Sequence, residues 1–221
     1  MSVRAIAAPT LGEAWLGVSR AVLEDGAPAS WGGLETRELA TLTIEVARPA
    51  TDDPLIAELG DPAWLAWMHE NFFVRKQVGE LGDARSYACR LFDYGAAGRD
   101  QLAWVVERLR ADPTCRDATI TMLEPLTDTG YIPCVSLLDF WRPDGPLELV
   151  VSAHSLDFGK KAYGNLVELA AIQAYVAGEL GAPVGRLVLH VKTAHLYATE
   201  FELMAGLTGR TTPAVADPRP A

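Results

Sequence analysis

The nine residues Ile132–Phe140, with the sequence IPCVSLLDF, decide how this chain folds. Apolar residues follow Cys134, and the pattern predicts a strand from Val135 to Trp141. A second apolar run, Leu147 to Ala153, follows a turn at Pro143-Asp-Gly145, so the two runs predict a β-hairpin. Cys134 therefore lies where the first strand of that hairpin begins.

Three polar segments follow at the ends of predicted elements: Ser152-Ala-His-Ser-Leu-Asp157, Asn165, and Ala194-His-Leu-Tyr197. An apolar helix is predicted from Asn165 to Leu180, where Gly181 ends it. A strand is predicted from Arg186 to Val191, just before the last segment. The order along the chain is thus a cysteine, a carboxylate, an amide, and a histidine with a tyrosine.

These four segments resemble the catalytic half of the thymidylate synthases and pyrimidine-nucleotide hydroxymethylases. In that family a Pro-Cys opens a strand, an Arg-Ser-x-Asp ends the next, an Asn starts the long helix, and a His-x-Tyr follows the last strand. The intervals from Cys134 to Asn165 and from Asn165 to His195 fit the family without a gap. The resemblance implies a homodimer with an α+β, thymidylate-synthase-like fold, in which helices cover a large mixed sheet.

Segments nearer the amino terminus extend the resemblance. Asp112-Pro-Thr-Cys-Arg116 resembles the family's Asp-Pro-x-Ser-Arg-Arg segment, and Ser86-Tyr87-Ala-Cys-Arg90 resembles its Tyr-Gly segment. The first helix, which contains Gly12-Glu-Ala-Trp15, resembles that of the compact archaeal-type members. The resemblance therefore covers most of the chain, strongly after Arg116 and loosely before Tyr87.

Local patterns predict the remaining elements of one catalytic domain over residues 1–210, followed by a fraying tail over 211–221. Thr10 and Glu13 form a capping-box pattern, which begins a helix that stops at Gly26. The segment from Pro49 to Pro62 is rich in proline and aspartate and is predicted to be irregular. The other predicted elements are a strand at Ala40–Val46, helices at Trp64–Val74 and Gln101–Ala111, and a strand at Ala118–Leu123.

Composition and charge exclude several classes of protein. Apolar residues make up 49% of the chain and charged residues 22%, which is typical of a globular protein. The formal net charge of −10 argues against nucleic acid or an anionic membrane as the main partner. Three cysteines without close pairs give neither a disulfide framework nor a zinc site. Because there is no signal-peptide pattern and no stretch of ~18 apolar residues, the cytoplasm is the expected compartment.

Cys134 is the predicted nucleophile. The C5 carbon of a pyrimidine is a poor nucleophile until a group adds to C6 and makes C5 part of an enolate. A thiolate suits this addition because it is polarisable, weakly solvated and a good leaving group afterwards. A single cysteine at the start of a strand is more often a small buried apolar residue. The ordered set of four segments is what favours catalysis.

Asn165, His195 and Tyr197 are the predicted substrate-binding residues. An amide both donates and accepts, so Asn165 suits the N3–O4 edge of the pyrimidine ring. It suits uracil more than cytosine. A donor at this edge would also stabilise the charge of the enolate. His195 and Tyr197 point the same way on an extended segment and suit a sugar hydroxyl. The structural alternatives are a helix cap for Asn165 and a buried core pair for the other two residues.

The resemblance implies roles for further residues. Asp157 corresponds to the carboxylate that faces the pterin of the folate, here 5,10-methylenetetrahydrofolate, and Ser155 corresponds to a serine that contacts the substrate phosphate. Tyr87 is expected in the catalytic site. The catalytic glutamate of the family falls in a poorly aligned region, where Glu58 and Glu70 are the candidates.

The chain departs from the family where the family binds the substrate 5′-phosphate with arginines. His154, Asp117 and Trp31 occupy three of these arginine positions, whereas Arg116 remains and is implied to reach the neighbouring subunit's site. An aspartate would repel a phosphate dianion. The expected substrate is therefore a nucleoside, a free base or a nucleotide with a different 5′ group. A protonated His154 is expected to replace the arginine that supports the thiolate.

The predicted function is folate-dependent transfer of a methyl or hydroxymethyl group to C5 of a pyrimidine, through a covalent bond between Cys134 and C6. The residues leave open whether hydride or water completes the reaction, and so which group is formed. Two alternatives stay open: the same thiol chemistry on a non-pyrimidine enolisable ring, and a non-catalytic homologue that binds a nucleotide-like ligand.

Overall fold

The computed structural model describes residues 4–142 and 145–209. Ten strands lie within these residues: β1 (Arg4–Ala8), β2 (Ala27–Trp31), β3 (Leu34–Val46), β4 (Gln77–Val78), β5 (Ala84–Arg85), β6 (Thr119–Thr121), β7 (Val135–Trp141), β8 (Leu147–Ala153), β9 (Leu156–Asp157) and β10 (Val184–Tyr197). The α-helices of the same residues are α1 (Leu11–Asp25), α2 (Pro54–Leu59), α3 (Pro62–Phe73), α4 (Tyr87–Phe92), α5 (Gln101–Ala111), α6 (Ala162–Glu179) and α7 (Phe201–Thr208). The predicted α+β class is confirmed.

The main sheet is mixed, as predicted. Its strands lie in the order β1-β3-β10-β8-β7-β6, with β2 paired to β3 and β9 paired to β10. The β1–β3 and β8–β10 pairs are parallel, whereas β3–β10, β7–β8 and β6–β7 are antiparallel. The long central strand β10 therefore lies beside β8 and β9 on one side and β3 on the other, which brings the ends of three segments together.

The two faces of the sheet differ in burial. Leu42, Ile44 and Val46 of β3 are buried as the alternating pattern predicted, beneath α1, which packs on β3 and β10. Helix α6 packs on β8 and β10 in the same layer. The opposite face is only partly covered, and we call it the open sheet face: Thr43, Glu45, Val150, Ser152, Val188 and His190.

Helix α1 anchors the loop that precedes α6. Thr10 caps α1 by accepting a hydrogen bond from the Glu13 backbone, in agreement with the predicted start. From the buried face of the helix, the indole nitrogen of Trp15 donates to the carbonyl of Phe158 at 2.8 Å. This bond fixes the residue that follows Asp157, and so it fixes one edge of the predicted site.

The predicted start of α6 and the predicted irregular segment differ from the structure for local reasons. Helix α6 begins at Ala162 rather than Asn165, with Lys161 as its N-terminal flanking residue. The supposedly irregular segment contains α2, which Asp53 caps by accepting hydrogen bonds from the backbone of Leu55 and Ile56. An aspartate followed by proline at the first helical position is itself a helix start, and this pattern outweighs the local richness in proline.

The hairpin strands β7 and β8 and the helix α5 have the predicted bounds, and α3 closely matches its prediction. Strands β3 and β10 extend well beyond the predicted segments, because each is paired along its length with neighbouring strands. The turn residues Pro143 and Asp144 and the tail 211–221 lie outside the described residues, and so does Arg210 at the predicted domain limit. No helix in residues 4–142 and 145–209 combines the length and apolar character needed to cross a bilayer.

Candidate active site

Cys134 lies directly before β7, half-buried at the entrance to the strand. Its carbonyl accepts a hydrogen bond from the backbone of His154 at 3.0 Å, which ties the cysteine to the end of β8. The next residue, Val135, donates its backbone N–H to the hydroxyl of Tyr87 at 3.0 Å. Both polar groups of the peptide bond that follows Cys134 are thus hydrogen-bonded, one to the end of β8 and the other to α4.

Tyr87 is buried at the first position of α4, with Ser86 as the helix cap. Its ring stacks on Phe72 at a centroid distance of 4.3 Å. Burial, followed by the neighbouring Cys134, raises the pKa of the Tyr87 hydroxyl. A neutral phenol bonded to the backbone beside the cysteine is consistent with the predicted place of Tyr87 in the site.

The pKa of the Cys134 thiol is raised, and burial is the main cause. Two groups oppose the effect: a hydrogen bond from the hydroxyl of Tyr131, whose oxygen is 3.7 Å from Sγ, and the positive charge of Lys161. The negative charge of Asp157 raises the thiol pKa further. The Cys134 thiol therefore lies among a phenol, an ammonium group and a carboxylate.

His154 does not supply the expected positive charge. Burial lowers the pKa of its imidazole, and the nearby ammonium of Lys192 lowers it again. A histidine with a lowered pKa is neutral at neutral pH. The cation that acts on the thiol belongs instead to Lys161, which lies at the start of α6.

Lys161 is held over two tryptophan rings. Its ammonium nitrogen is 5.4 Å from the ring centroid of Trp64 and 5.4 Å from that of Trp67. The two indoles meet edge to face at 5.6 Å. Aromatic faces attract a cation, so this pair stabilises an ammonium group beside the site, and the partly buried indoles offer flat apolar surface to a ligand.

The predicted carboxylate, histidine and tyrosine meet near the carboxyl end of β10. Asp157 of β9 is paired with His195 of β10, and the imidazole Nδ1 of His195 is 3.1 Å from the hydroxyl of Ser155. The His195 and Tyr197 rings are perpendicular, with centroids 5.1 Å apart. Electrostatic contact of Tyr197 with Asp157 and Cys134 raises its pKa after the larger effect of burial. One cluster thus contains both Cys134 and Asp157.

Burial shifts the pKa values of this pair in opposite directions. It raises the pKa of Asp157, although His195 and the backbone N–H groups of Gly159 and Lys160 oppose the rise. It lowers the pKa of His195, against the attraction of Asp157 and Glu38. A partly buried carboxylate is suited to a ligand that carries N–H donors.

Asn165 lies in the fourth position of α6 and is 5% exposed. Its amide nitrogen is 3.3 Å from the sulfur of Met68. Because Lys161 flanks the start of the helix and the Asn165 backbone is bonded within it, the alternative role as a helix cap does not apply. The amide projects from the helix into the layer between α3 and α6.

Other predicted residues lie on the surface. Glu58 is exposed on α2, and Glu70 is exposed on α3, where it is paired with Lys76. Arg116 is exposed in the loop after α5. Asp117, the predicted source of repulsion, is paired with Arg108 at 2.8 Å. Trp31, at the tip of the β2–β3 hairpin, is 73% exposed.

The contacts of the described residues join neither glutamate candidate to Cys134, so the assignment of Glu58 stays a prediction. Three residues that contact or influence the site are not among those predicted: Tyr131, Lys161 and Glu38. No motif marks them, but Tyr131 is three residues before the cysteine and Lys161 is four residues before Asn165. Glu38 is paired with His195 across the β3–β10 ladder, a contact that only the sheet register reveals.

Comparison of the sequence with known proteins identifies the family. The model of the thymidylate synthase family matches residues 46–218. A protein of Methanosarcina acetivorans, provisionally named a thymidylate synthase, is 31% identical over 179 residues, which are 79% of this chain and 80% of that protein. Similarly named proteins of Methanosarcina barkeri and Methanothermobacter thermautotrophicus are 27% and 26% identical, over 92% and 87% of this chain and 94% and 92% of their own lengths. The chain therefore belongs to the thymidylate synthase family of one-carbon transferases.

Proposed function

We propose that this enzyme transfers a one-carbon unit from a folate to C5 of a pyrimidine, with Cys134 as the nucleophile that adds to C6. The observation that carries the proposal is the cluster of Cys134 with Asp157 and Tyr197, which three separate segments of the chain bring within electrostatic contact. If His195 and Tyr197 were only a buried core pair, the presence of a carboxylate and a thiol beside them would have no explanation.

The chemistry assigned to Cys134 follows from its surroundings. The thiolate forms a bond to C6, and the electrons of the C5–C6 double bond move toward O4, so C5 becomes nucleophilic. After C5 has accepted the one-carbon unit and lost its proton, the S–C6 bond breaks and the thiolate leaves. The attachment of Cys134 to Tyr87 through Val135 holds the sulfur in place through both steps.

Asn165 is proposed to bind the N3–O4 edge of the pyrimidine. Its amide is buried yet bonded to a thioether, which is a weak acceptor. A ring with an N–H donor beside a carbonyl acceptor would satisfy the amide better than Met68 does. This pattern is that of uracil, and a donor facing O4 would also stabilise the enolate that forms there.

The residues present fit a folate. A pterin is flat and carries N–H donors. The chain offers the partly buried carboxylate of Asp157, and it offers the indoles of Trp64 and Trp67, which lie against Lys161. The Lys161 backbone N–H donates to the carbonyl of Asp157. Asp157 and these rings would hold 5,10-methylenetetrahydrofolate, which supplies the one-carbon unit when it is bound. Asp157 is oriented for this task because Gly159 and Lys160 donate their backbone N–H groups to it.

The 5′ end of the substrate is proposed to lack a simple phosphate. A neutral His154 and an exposed Trp31 stand at positions where the family has arginines. Asp117 stands at a third such position, and its charge is balanced by Arg108. Three cationic contacts are therefore absent, and the hydroxyl of Ser155 is bonded to His195. A nucleoside, a free base or a nucleotide with another 5′ group fits better.

A homodimer joined through the open sheet face is proposed. Val150 and Val188 are paired neighbours at the middle of that face and are only partly covered. In this arrangement the exposed Arg116 would lie near the partner's site. Large, partly apolar sheet faces are covered in stable assemblies.

A thermal-shift panel tests the substrate class. Uracil, cytosine, their nucleosides and their monophosphates are compared with adenosine, each with and without the folate. A ligand at about 100 times its dissociation constant stabilises the protein by ~2.7 kcal/mol. Stabilisation by a pyrimidine ligand is expected, whereas stabilisation by purines alone would contradict the proposal.

The second candidate function is ligand binding without catalysis. The raised pKa of the Cys134 thiol favours it, because a protonated thiol is a poor nucleophile. Exchange of the substrate C5 proton with solvent separates the two functions, since a binding protein would leave that proton in place.

A further inference from the structure

Burial opposes ionisation of the Cys134 thiol, and the histidine at the family's arginine position carries a lowered pKa. A thiol in this position needs other groups to stabilise its negative charge if it is to act as a nucleophile. Positive charges and hydrogen-bond donors are the groups that do so. Two described side chains meet the requirement.

Tyr131 is the first. Its hydroxyl oxygen is 3.7 Å from Cys134 Sγ, within hydrogen-bond distance for sulfur. Burial raises the pKa of this phenol, as does the adjacent thiol, so the hydroxyl keeps its proton and acts as a donor. The loop that carries Tyr131 is fixed upstream, because Asp128 forms two hydrogen bonds with the buried guanidinium of Arg90.

Lys161 is the second. Its ammonium lies over the faces of Trp64 and Trp67, and its positive charge acts on both the Cys134 thiol and the Asp157 carboxylate. Because the Lys161 backbone donates to the carbonyl of Asp157 at 3.1 Å, the lysine is fixed beside the same turn as the site carboxylate.

We propose that Tyr131 and Lys161 together stabilise the Cys134 thiolate, in place of the arginine that this chain has lost. The Tyr131 hydroxyl donates a hydrogen bond to Sγ, and the Lys161 ammonium supplies the facing positive charge. The proton that Sγ loses passes to solvent, and the phenol and the ammonium keep theirs. The inference rests on the proposed function in one respect, the role of Cys134 as nucleophile. Tyr131 is a catalytic residue in this scheme because it contacts the reacting sulfur, and Lys161 acts electrostatically.

The reactivity of the thiol tests the proposal without any substrate. The protein is treated with iodoacetamide between pH 6 and pH 10, and alkylation of each cysteine is followed by peptide mass spectrometry. Cys89, which lies in α4, is the internal reference. The variants are Tyr131→Phe, Lys161→Gln and Lys161→Arg. Tyr94→Phe is the matched control, since the Tyr94 hydroxyl donates to the carbonyl of Leu123.

Tyr131→Phe should slow alkylation of Cys134 at neutral pH by about tenfold, the loss expected for one hydrogen bond to a charged group, and should move its midpoint to higher pH. Lys161→Gln should slow it several-fold, and Lys161→Arg should restore it. Tyr94→Phe and the Cys89 profile should not change. Circular dichroism checks folding, and if Tyr131→Phe fails to fold, the two Lys161 variants decide.

Unchanged alkylation of Cys134 in folded Tyr131→Phe and Lys161→Gln would overturn the proposal, and so would equal slowing by the Gln and Arg variants of Lys161. The result is independent of the substrate. A shifted profile in a protein that binds no pyrimidine would leave the thiolate assignment standing and reject the proposed function. Pyrimidine turnover by the protein, with an alkylation profile that the variants leave unshifted, would support the proposed function and reject the thiolate assignment.

Discussion

The side-chain nitrogen of Asn165 lies 3.3 Å from the sulfur of Met68, so a buried amide in the middle of the structure donates to a thioether. Sulfur of this kind is a weak acceptor, and a buried amide normally has stronger partners. A hydrogen bond to so weak an acceptor contributes little to the stability of the fold. A ligand with a stronger acceptor would replace it.

Asn165→Leu should therefore weaken binding of uracil-type ligands by about tenfold or more, the loss of one to two hydrogen bonds. The free energy of unfolding should change little, because no strong bond in the fold is removed. Calorimetric titration and chemical denaturation measure the two effects. Gln173→Leu is the contrast, since the amide of Gln173 donates to three backbone carbonyls and its loss should destabilise the fold. A destabilised Asn165→Leu with unchanged ligand affinity would make Asn165 a structural residue.

The loop before Cys134 depends on the buried pair of Arg90 and Asp128, whose closest N–O distance is 2.7 Å. Burial alone would raise the pKa of Asp128, but hydrogen bonds from Arg90 and from the Glu124 backbone prevail and lower it. A carboxylate with a lowered pKa in the folded state stabilises the fold above its unfolded pKa, about 3.9, and this contribution is lost as pH falls through the folded value.

Asp128→Asn should cost about 3 kcal/mol of unfolding free energy at pH 7, the lower end for breaking a buried ion pair. The difference from the parent protein should shrink below about pH 4, where the parent's carboxylate also becomes protonated. Asp117→Asn is the matched control, because Asp117 pairs with Arg108 on the surface, and it should leave stability nearly unchanged. Urea denaturation across pH measures both variants. A difference that persists in acid would show that Asp128 acts through something other than its charge.

Assembly through the open sheet face is tested by a charge at its centre. Val188→Glu would place a carboxylate beside Glu45, its neighbour across the ladder, and in a dimer would bury several like charges together. Sedimentation should show a dimer for the parent protein and a monomer for this variant. Leu203→Glu, at an exposed position of α7, should remain dimeric. An active monomer of the parent protein at micromolar concentration would remove the dimer and the proposed reach of Arg116.

The proposed discrimination at the 5′ end rests on the family resemblance, which places His154, Asp117 and Trp31 where the family has phosphate-binding arginines. Each charge-assisted hydrogen bond to phosphate is worth about 1.5–3 kcal/mol, so the loss of three weakens a monophosphate by several powers of ten. Calorimetric titration should show that uridine, or a differently substituted relative, binds better than its 5′-monophosphate. A monophosphate that binds at least tenfold tighter than its nucleoside would contradict this. Lys192, near His154, would then be the first residue to test as the phosphate contact.

Much of the fold could be predicted from sequence because its strongest elements carry local patterns. The strands β7 and β8 and helix α5 follow from their hydrophobic periodicity. Helix α2 is not predicted, because the richness of Pro49–Pro62 in proline and aspartate favours an irregular segment, whereas Asp53 and Pro54 begin a helix. The full length of β10 depends on pairing with β3 and β9, which are far away in the chain. Such pairing cannot be predicted from the local sequence.

The candidate site likewise contains some residues that sequence patterns predict and others that they do not. Cys134, Asp157, His195 and Tyr197 could be predicted because they form an ordered set of segments, and the structure brings them together. The groups that influence ionisation of the Cys134 thiol could not be predicted. Lys161 and Tyr131 act on the thiol from a helix start and a loop, and burial disfavours the positive charge expected for His154.

The central claim is that Cys134 adds to C6 of a pyrimidine and so activates C5. Exchange of the C5 proton with deuterated solvent reports this step directly, without depending on which one-carbon product follows. The parent protein and Cys89→Ala should both exchange the C5 proton of the bound pyrimidine, and Cys134→Ala should not, while all three keep the same circular dichroism spectrum. Exchange that persists in folded Cys134→Ala would contradict the assignment.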